Sequence, residues 1–481
     1  MAGTRRIADL RAEHARVVQH LAGPKTPVHM LGIGGVGMAG VAVQLAARGY
    51  AVSGCDGAPE GLGPWLGQRG IPVAHGHHPD HLTPDTVWLV RSPAVSAQDP
   101  EVLAARARGL PIFLRGTVLP ALLEGQLSMA VGGAHGKTTT SAMLAHVLRK
   151  AGHDVSFCIG GEVPTLGGVA HAGRAGLMVV EADESDGTLA LYAADYAVIT
   201  NVELDHVDYF ATEAELDACF ASFAGQAKRA VVYCADDAGA VRAAGHAKVR
   251  TLGYGLAQGE WRADILSSGA RSISARIALR GVHQGELQLE VPGRTNLLDA
   301  LAALAVAVEL GIPFEVAAEG LRSFRPVRRR FDVLAERNGI LVISDYAHHP
   351  TEIAAFLDQV RGLQPQRILA VYQAHRYSRT AALGAAFPPA FAGVDELILT
   401  PVYAASEAPV PGGGLDDLHG HFVREGKIPV VAVQSLLEAW TLIRKKWRAG
   451  DVVAVIGAGD VEKIAAWAAA ALLEESRESS L

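Results

Sequence analysis

Cysteine is scarce in this chain of 481 residues: Cys55, Cys158, Cys219 and Cys234 are the only ones, widely spaced and without a CxxC pair. That spacing argues against a disulfide scaffold or a cysteine zinc knot and leaves core thiols as the reading. Basic charge is not in surplus either, with 43 Lys and Arg against 50 Asp and Glu and a net charge of −7. With the two signs interspersed, a general nucleic-acid or membrane-surface binder is not expected, although local arginine clusters suit a small anion. The longest alanine-rich stretch, Ile464 to Leu473, falls short of the roughly 18 apolar residues that a membrane span needs. The N-terminus carries Arg5, Arg6, Arg11 and Arg16 beside Asp9 and Glu13, with no apolar h-region, so no signal peptide is read. A soluble cytoplasmic protein of roughly two to four domains is the expectation.

Glycine and threonine, by contrast, gather where they carry chemistry. AVGGAHGKTTTSAML, Ala130 to Leu144, sets a lysine and three threonines at the mouth of an amphipathic helix, after a strand at Leu127–Val131. Backbone N–H groups at a helix mouth have no intrahelical partner and point at an anion. Lys137 can meet the β- and γ-phosphates, and the Thr138 hydroxyl can reach a phosphate-bound magnesium. The general phosphate-loop pattern wants glycine where this chain has Val131; its own glycines are Gly132 and Gly133. The reading is a nucleoside-triphosphate site, with an ordinary glycine turn as the alternative.

Two further strand–turn–helix systems flank it. PVHMLGIGGVGMAG runs a strand into Gly32, Gly34, Gly35 and Gly37, and the next strand ends at Asp56, the form of a dinucleotide turn. The same turn serves any diphosphate ligand, and a nucleotide or nucleotide-sugar is favoured over NAD or FAD. TVWLV leads to Arg91, Ser92 and Pro93 at another strand end. Within the central region, two hydrophobic runs turn acidic or polar at their ends. One reaches Glu181, Asp183, Glu184 and Asp186, and the other Asn201, Glu203, Asp205, His206 and Asp208. Such runs suit buried parallel strands, whose carboxyl ends bind ligands. Beside a GKT loop they offer donors for a divalent ion; Glu181 and His206 are assigned metal or phosphate roles, and Asp183 and Asp205 supporting ones. Trp261 to Leu289 alternates as antiparallel strands do. After FRPVRRRFD, a third α/β system ends its strands at Asp345, Tyr346, His348 and His349, and at Gln373, His375, Arg376, Tyr377 and Arg379. His348 and His349 cannot both face one way on a regular strand.

In this order, GIGGVGM (Gly32–Met38), GAHGKTTT (Gly133–Thr140), EADESD (Glu181–Asp186), NVELDHVD (Asn201–Asp208), DYAHHPTE (Asp345–Glu352), HRYSRT (His375–Thr380), VYAASE (Val402–Glu407) and GAGD (Gly457–Asp460) closely resemble segments of the bacterial Mur ligases. The likeness runs from about residue 25 to 465. It implies a three-domain α/β architecture: a helical leader (1–24), a Rossmann-like UDP-sugar domain (25–118), a central P-loop ATPase domain with a small antiparallel portion (119–322), a Rossmann-like C-terminal domain (323–472) and a flexible tail (473–481). It also implies ATP-dependent ligation of L-alanine to the lactyl carboxylate of UDP-N-acetylmuramate through an acyl phosphate, in peptidoglycan precursor synthesis. ATP would be co-substrate and Mg²⁺, or Mn²⁺, the ion, in a cytoplasmic monomer or homodimer. By the same resemblance Gly133, Ala134, His135, Gly136, Lys137, Thr138 and Thr139 embrace the triphosphate, and Thr138, Glu181 and His206 hold the metal. Asn296, Arg330 and Asp345 contact the nucleotide, while His348, Arg376 and Arg379 position substrate. Gly32, Gly34, Gly35, Gly37, Asp56 and Ser92 hold the uridine diphosphate. The catalytic set is then Lys137, Glu181, His206 and His348. The chain departs from the family pattern at Ala134, where threonine is usual, at Thr295 and Asp299, where histidine and asparagine are, and at RGTVL (Arg115–Leu119). Asp299 would bring a carboxylate toward ATP. The alternatives are a murein-peptide recycling ligase or another amino-acid specificity. A nicotinamide oxidoreductase and a non-catalytic nucleotide binder rank lower.

Overall fold

The computed structural model describes residues 7–58, 60–207 and 209–478, and its strands form three sheets. The first holds β1 (Val28–Leu31), β2 (Val52–Asp56), β3 (Val73–His75), β4 (Trp88–Arg91) and β5 (Ile112–Leu114), all parallel in the order 3-2-1-4-5. The second begins with β6 (Leu127–Gly132), β7 (Ser156–Val163), β8 (Gly168–His171), β9 (Leu177–Glu181) and β10 (Tyr196–Ile199). It continues through β11 (Ala230–Cys234), β12 (Arg250–Gly255), β13 (Trp261–Ser268), β14 (Ile273–Leu279) and β15 (Val282–Leu289). Its order is 15-14-13-12-11-10-6-9-7-8, with antiparallel pairing at β13–β14–β15 and β7–β8. The third, β16 (Asp332–Arg337), β17 (Ile340–Asp345), β18 (Arg367–Tyr372), β19 (Glu396–Leu399), β20 (Val430–Ala432) and β21 (Asp451–Ile456), runs 16-17-21-18-19-20 with β16 antiparallel.

These orders decide where function can sit. In the first sheet the strand order reverses between β1 and β4, so the glycine turn and Ser92 share one crevice. In the second, β6 lies between β9 and β10, which sets both acidic strand ends beside the phosphate loop. In the third, β21 lies between β17 and β18, which aligns Asp345, Gly457 and Gln373 on one edge.

Hydrophobic runs drive this arrangement. Met129, Ala130 and Val131 of β6, Val179 and Val180 of β9, and Val198 and Ile199 of β10 are all fully buried. Each such valine or isoleucine contributes at most ~1.5–3 kcal/mol. One core cluster extends from the first sheet's inner face through the central domain. A small separate core, with Leu31, Cys55, Leu89 and Val102, covers the first sheet's outer face.

The leader forms a helix, Ile7–Leu21, fixed by Glu13, whose Oε1 accepts from the Leu114 N–H at 2.9 Å and the Thr117 hydroxyl at 3.1 Å. The chain from residue 473, expected to be a flexible tail, continues the last helix to Glu478. Alanine, leucine and glutamate are strong helix formers, and they extend the turn beyond the expected stop. Asp208 and residues 479–481, named above, lie outside the described residues. Among the described residues no helix is long and apolar enough to cross a membrane.

Candidate active site

The loop between β6 and the helix Lys137–Lys150 is shaped by two left-handed glycines, Gly133 at φ +147° and Gly136 at φ +81°. A Cβ at Gly133 would collide with the Thr200 hydroxyl, and one at Gly136 with the Asp299 carboxylate. Only glycine fits a backbone pressed this closely on its neighbours. Asn201 holds the loop from the other side, accepting from the His135 N–H at 2.8 Å and donating to its carbonyl at 3.0 Å. The first-turn N–H groups then face outward with the helix dipole behind them, a cradle suited to phosphate.

Lys137 folds across this cradle. Its ammonium donates to the Gly133 carbonyl at 2.6 Å and to Glu184 Oε1 at 3.0 Å. Burial opposes its charge, but Glu184, Asp183 and Glu181 outweigh burial and raise its pKa. The Thr138 hydroxyl donates to Glu181 Oε1 at 3.0 Å, and the Gly160 N–H to Oε2 at 2.7 Å. Burial raises the Glu181 carboxyl, only partly offset by Lys137 and these donors. His206 Nε2 stands 3.5 Å from Glu184 Oε1, and burial's effect on its ring is overcome by Glu184, Asp205 and Asp183, raising its pKa. Asp183 is held well below the usual carboxylate range: burial opposes this, but Lys137, Arg115 and His206 prevail.

Metal-ligand atoms of Asp183, Glu184 and His206 lie within 4.8 Å of one another. Their hard oxygens and one imidazole fit a divalent ion that also binds phosphate. Glu181 is hydrogen-bonded to Thr138 at the start of the loop's helix and is not one of these three. Asp299, the unusual residue, lies beneath the loop, where the Thr140 hydroxyl donates to it at 3.1 Å. Burial pushes its carboxyl up to about 7.

The C-terminal domain closes over this site. Arg379 grips Asp205 with both arms, Nε to Oδ1 at 2.5 Å and an Nη to Oδ2 at 3.0 Å, with both side chains buried. The guanidinium assigned to substrate therefore holds a protein carboxylate here. His348 bonds the Tyr346 carbonyl through Nδ1 at 3.0 Å and brings Nε2 to 3.7 Å from Asp205. His349 faces elsewhere: it caps the helix Pro350–Gly362 by accepting from the Thr351 N–H. Glu352 in that helix lies 3.2 Å from His135 Nδ1, while Glu203 lies 2.8 Å from Nε2. These two carboxylates outweigh burial and push His135 up to about 9.

The remaining assigned residues are placed as follows. Arg330 lies 3.6 Å from Glu352 and over the Tyr346 ring. Asp345 accepts from the Phe331 and Ala347 N–H groups at 2.7 and 2.8 Å, anchoring the interdomain linker, and burial pushes it up to about 6. Asn296 turns its amide to the Pro292 carbonyl at 2.7 Å, and Arg376 pairs with Glu407 at 3.4 Å. In the first domain Asp56 Oδ2 accepts from the Gly34 N–H at 2.9 Å, closing the glycine turn, and Ser92 packs beneath Gly32. Gly37 leaves room for Arg115, whose guanidinium reaches Asp183 at 3.5 Å and so links that turn to the phosphate loop. Arg115 and Glu352 have no role assigned from the sequence, and Glu203, offered there among donors for a divalent ion, is instead a partner of His135. All three sit inside quoted segments, but their partners are remote in sequence.

A phosphate loop, paired acidic strand ends and a capping α/β domain define a nucleotide-dependent transfer enzyme. Family models match the three parts: "Mur ligase family, catalytic domain" at residues 27–126, "Mur ligase middle domain" at 131–307 and "Mur ligase, glutamate ligase domain" at 329–459. The UDP-N-acetylmuramate–L-alanine ligase of Carboxydothermus hydrogenoformans is 38% identical over 91% of this chain and 95% of its own length. That of Kineococcus radiotolerans is 43% identical over 91% and 94%. The crystal structure of UDP-N-acetylmuramate-alanine ligase from Thermotoga maritima superposes with a TM-score of 0.80 at 27% identity, covering 94% of this chain and all of that one. The chain belongs to the Mur ligase family.

Proposed function

We propose that this protein joins L-alanine to the lactyl carboxylate of UDP-N-acetylmuramate at the expense of ATP, yielding UDP-N-acetylmuramoyl-L-alanine, ADP and phosphate. The observation that carries this reading is the convergence of Lys137, the β9 and β10 acidic ends and the C-terminal domain on one loop. The similarity to L-alanine ligases supports the choice of substrates. The setting is the cytoplasm, in peptidoglycan precursor synthesis, with the chain acting as a monomer or homodimer.

A carboxylate does not acylate an amine at neutral pH, because its oxygen is a poor leaving group. Transfer of the γ-phosphoryl group to it gives an acyl phosphate, whose phosphate can leave. Lys137 swings from Glu184 toward the transferring oxygens and neutralises charge developing there. Thr138, Glu181 and His206, with Asp183 and Glu184 beside them, would hold Mg²⁺, which when bound offsets phosphate charge. The glycine turn and Asp56 hold the sugar nucleotide so that its lactyl arm faces the loop. Arg376 holds the amino acid's carboxylate once Glu407 releases it, while Arg379 stays on Asp205 and keeps the C-terminal domain over the site. His348 orients the incoming amine. Closure of the C-terminal domain excludes water that would hydrolyse the acyl phosphate.

The test is phosphate release with UDP-N-acetylmuramate and, in turn, L-alanine, glycine, L-serine and a murein tripeptide. Release should be greatest with L-alanine. Preference for the tripeptide would move the protein to the recycling ligases, and nucleotide binding without substrate-stimulated release would deny catalysis. Lys137→Ala should lower turnover ~10²-fold or more with the fold intact, since it removes charge needed in the transition state.

A further inference from the structure

On the outer face of the first sheet, remote in sequence from the phosphate loop, four metal-ligating side chains from four elements converge. They are His29 on β1, Cys55 on β2, His81 at the short turn Pro79–His81, and Glu101 in the helix Pro100–Ala107. One ligand atom from each lies within 4.8 Å of all the others. His29 Nε2 is 2.8 Å from Glu101 Oε1, Cys55 Sγ is 3.1 Å from Oε2, and His81 Nδ1 is 3.6 Å from Oε2. His29, Cys55 and Glu101 are almost wholly buried. His29 and Glu101 face each other as an ion pair, but among the described residues the buried His81 Nδ1 makes no hydrogen bond. A buried imidazole nitrogen left without a hydrogen bond and turned toward a buried thiol and carboxylate is costly unless something there accepts its lone pair.

We propose that these four side chains form a binding site for a divalent transition-metal ion of the zinc class. Two imidazoles, a thiolate and a carboxylate are a tetrahedral donor set that favours zinc over magnesium or calcium. Zinc bonds of about 2.0–2.3 Å put tetrahedral ligand atoms roughly 3.3–3.8 Å apart; the His81–Glu101 separation falls in that range, while His29 and Cys55 stand closer to the carboxylate and would part slightly around an ion. The supporting contacts are in place as well. His29 Nδ1 bonds the Ser53 hydroxyl at 2.9 Å, leaving Nε2 to the ion, and His77 Nδ1 lies 3.2 Å from the Cys55 sulfur. His77 and His81 are each 22% exposed and form an entry edge. The Cys55 carbonyl accepts from the Gly32 and Ile33 N–H groups at 2.9 and 3.1 Å, so an ion held here braces the glycine turn.

The experiment takes the full-length protein, freed of metal by a chelator, and adds one equivalent of Zn²⁺ or Co²⁺ with excess Mg²⁺ to occupy the phosphate site. One zinc per chain should survive desalting, and the cobalt form should show a thiolate-to-cobalt charge-transfer band. Cys55→Ser should abolish that band, while Cys158→Ser, altering a thiol outside the cluster, should keep it. His81→Ala, at a partly exposed turn where misfolding is least expected, should weaken zinc ~10²-fold or more, because loss of even a supporting contact costs 10–100-fold. Zinc that washes out on desalting overturns the site, as does a cobalt band that persists in Cys55→Ser. So does unchanged zinc affinity in a folded His81→Ala protein, which would leave Glu101 simply paired with His29.

Discussion

At the scale of single residues, Asp299 shows how one departure from the family pattern is accommodated. Its carboxylate sits under Gly136 and accepts from Thr140, and the residue is largely buried. The carboxyl titrates near its ordinary 3.8 when the chain is unfolded and near 7 when folded, so folding takes up a proton between those values. Stability conferred by the protonated form therefore falls as pH rises from about 4 through 7 and stays low above it. Asp299→Asn, which keeps the acceptor without the charge, should match the parent near pH 4 and exceed it above pH 8. The gain is bounded at about 4 kcal/mol by linkage. Chemical denaturation of both proteins across that range measures it. Equal slopes with pH would mean that Asp299 is ionised in place without cost.

At the scale of elements, the helix Pro350–Gly362 is tied to the phosphate loop by His135, whose ring lies between Glu203 and Glu352. Its pKa is raised from 6.5 to about 9, so the clamp's contribution is full below about pH 6.5 and is lost as pH rises through 9. The parent should be more heat-stable than His135→Gln at pH 6, with the difference gone near pH 10; melting curves at the two pH values decide it. What the sequence makes legible follows the same division. The buried parallel strands β6, β9, β10, β17, β18 and β21 can be read because hydrophobic runs end abruptly in polar residues, and the glycine loops because backbone crowding demands them. The short strands β3, β5 and β20 carry too few residues for a period. The hairpin β16–β17 was open to reading, since Asn338 and Gly339, both at positive φ, form its two-residue turn. The His135 clamp, the Asp205–Arg379 pair and the His29–Cys55 cluster were not. Each joins elements that only the tertiary fold makes neighbours, and no local spacing encodes them.

At the scale of the whole molecule, the first two sheets share one hydrophobic core, whereas the third domain keeps its own two clusters and meets the central domain through charged contacts. The buried Arg379–Asp205 fork joins it to the central domain. Removing one partner leaves a buried charge uncompensated, at a cost of about 3–5 kcal/mol. Asp205→Asn should therefore shift the ensemble toward open forms, visible as a larger radius of gyration by solution scattering. An unchanged profile would mean that other contacts suffice for closure. Closure matters because the proposed chemistry makes a water-sensitive acyl phosphate, and the most direct measurement follows its oxygen. With UDP-N-acetylmuramate carrying oxygen-18 in the lactyl carboxylate, turnover with ATP and L-alanine should deliver one labelled oxygen into the released phosphate. Phosphate released free of label, with the amide product formed, would contradict carboxylate activation by phosphoryl transfer.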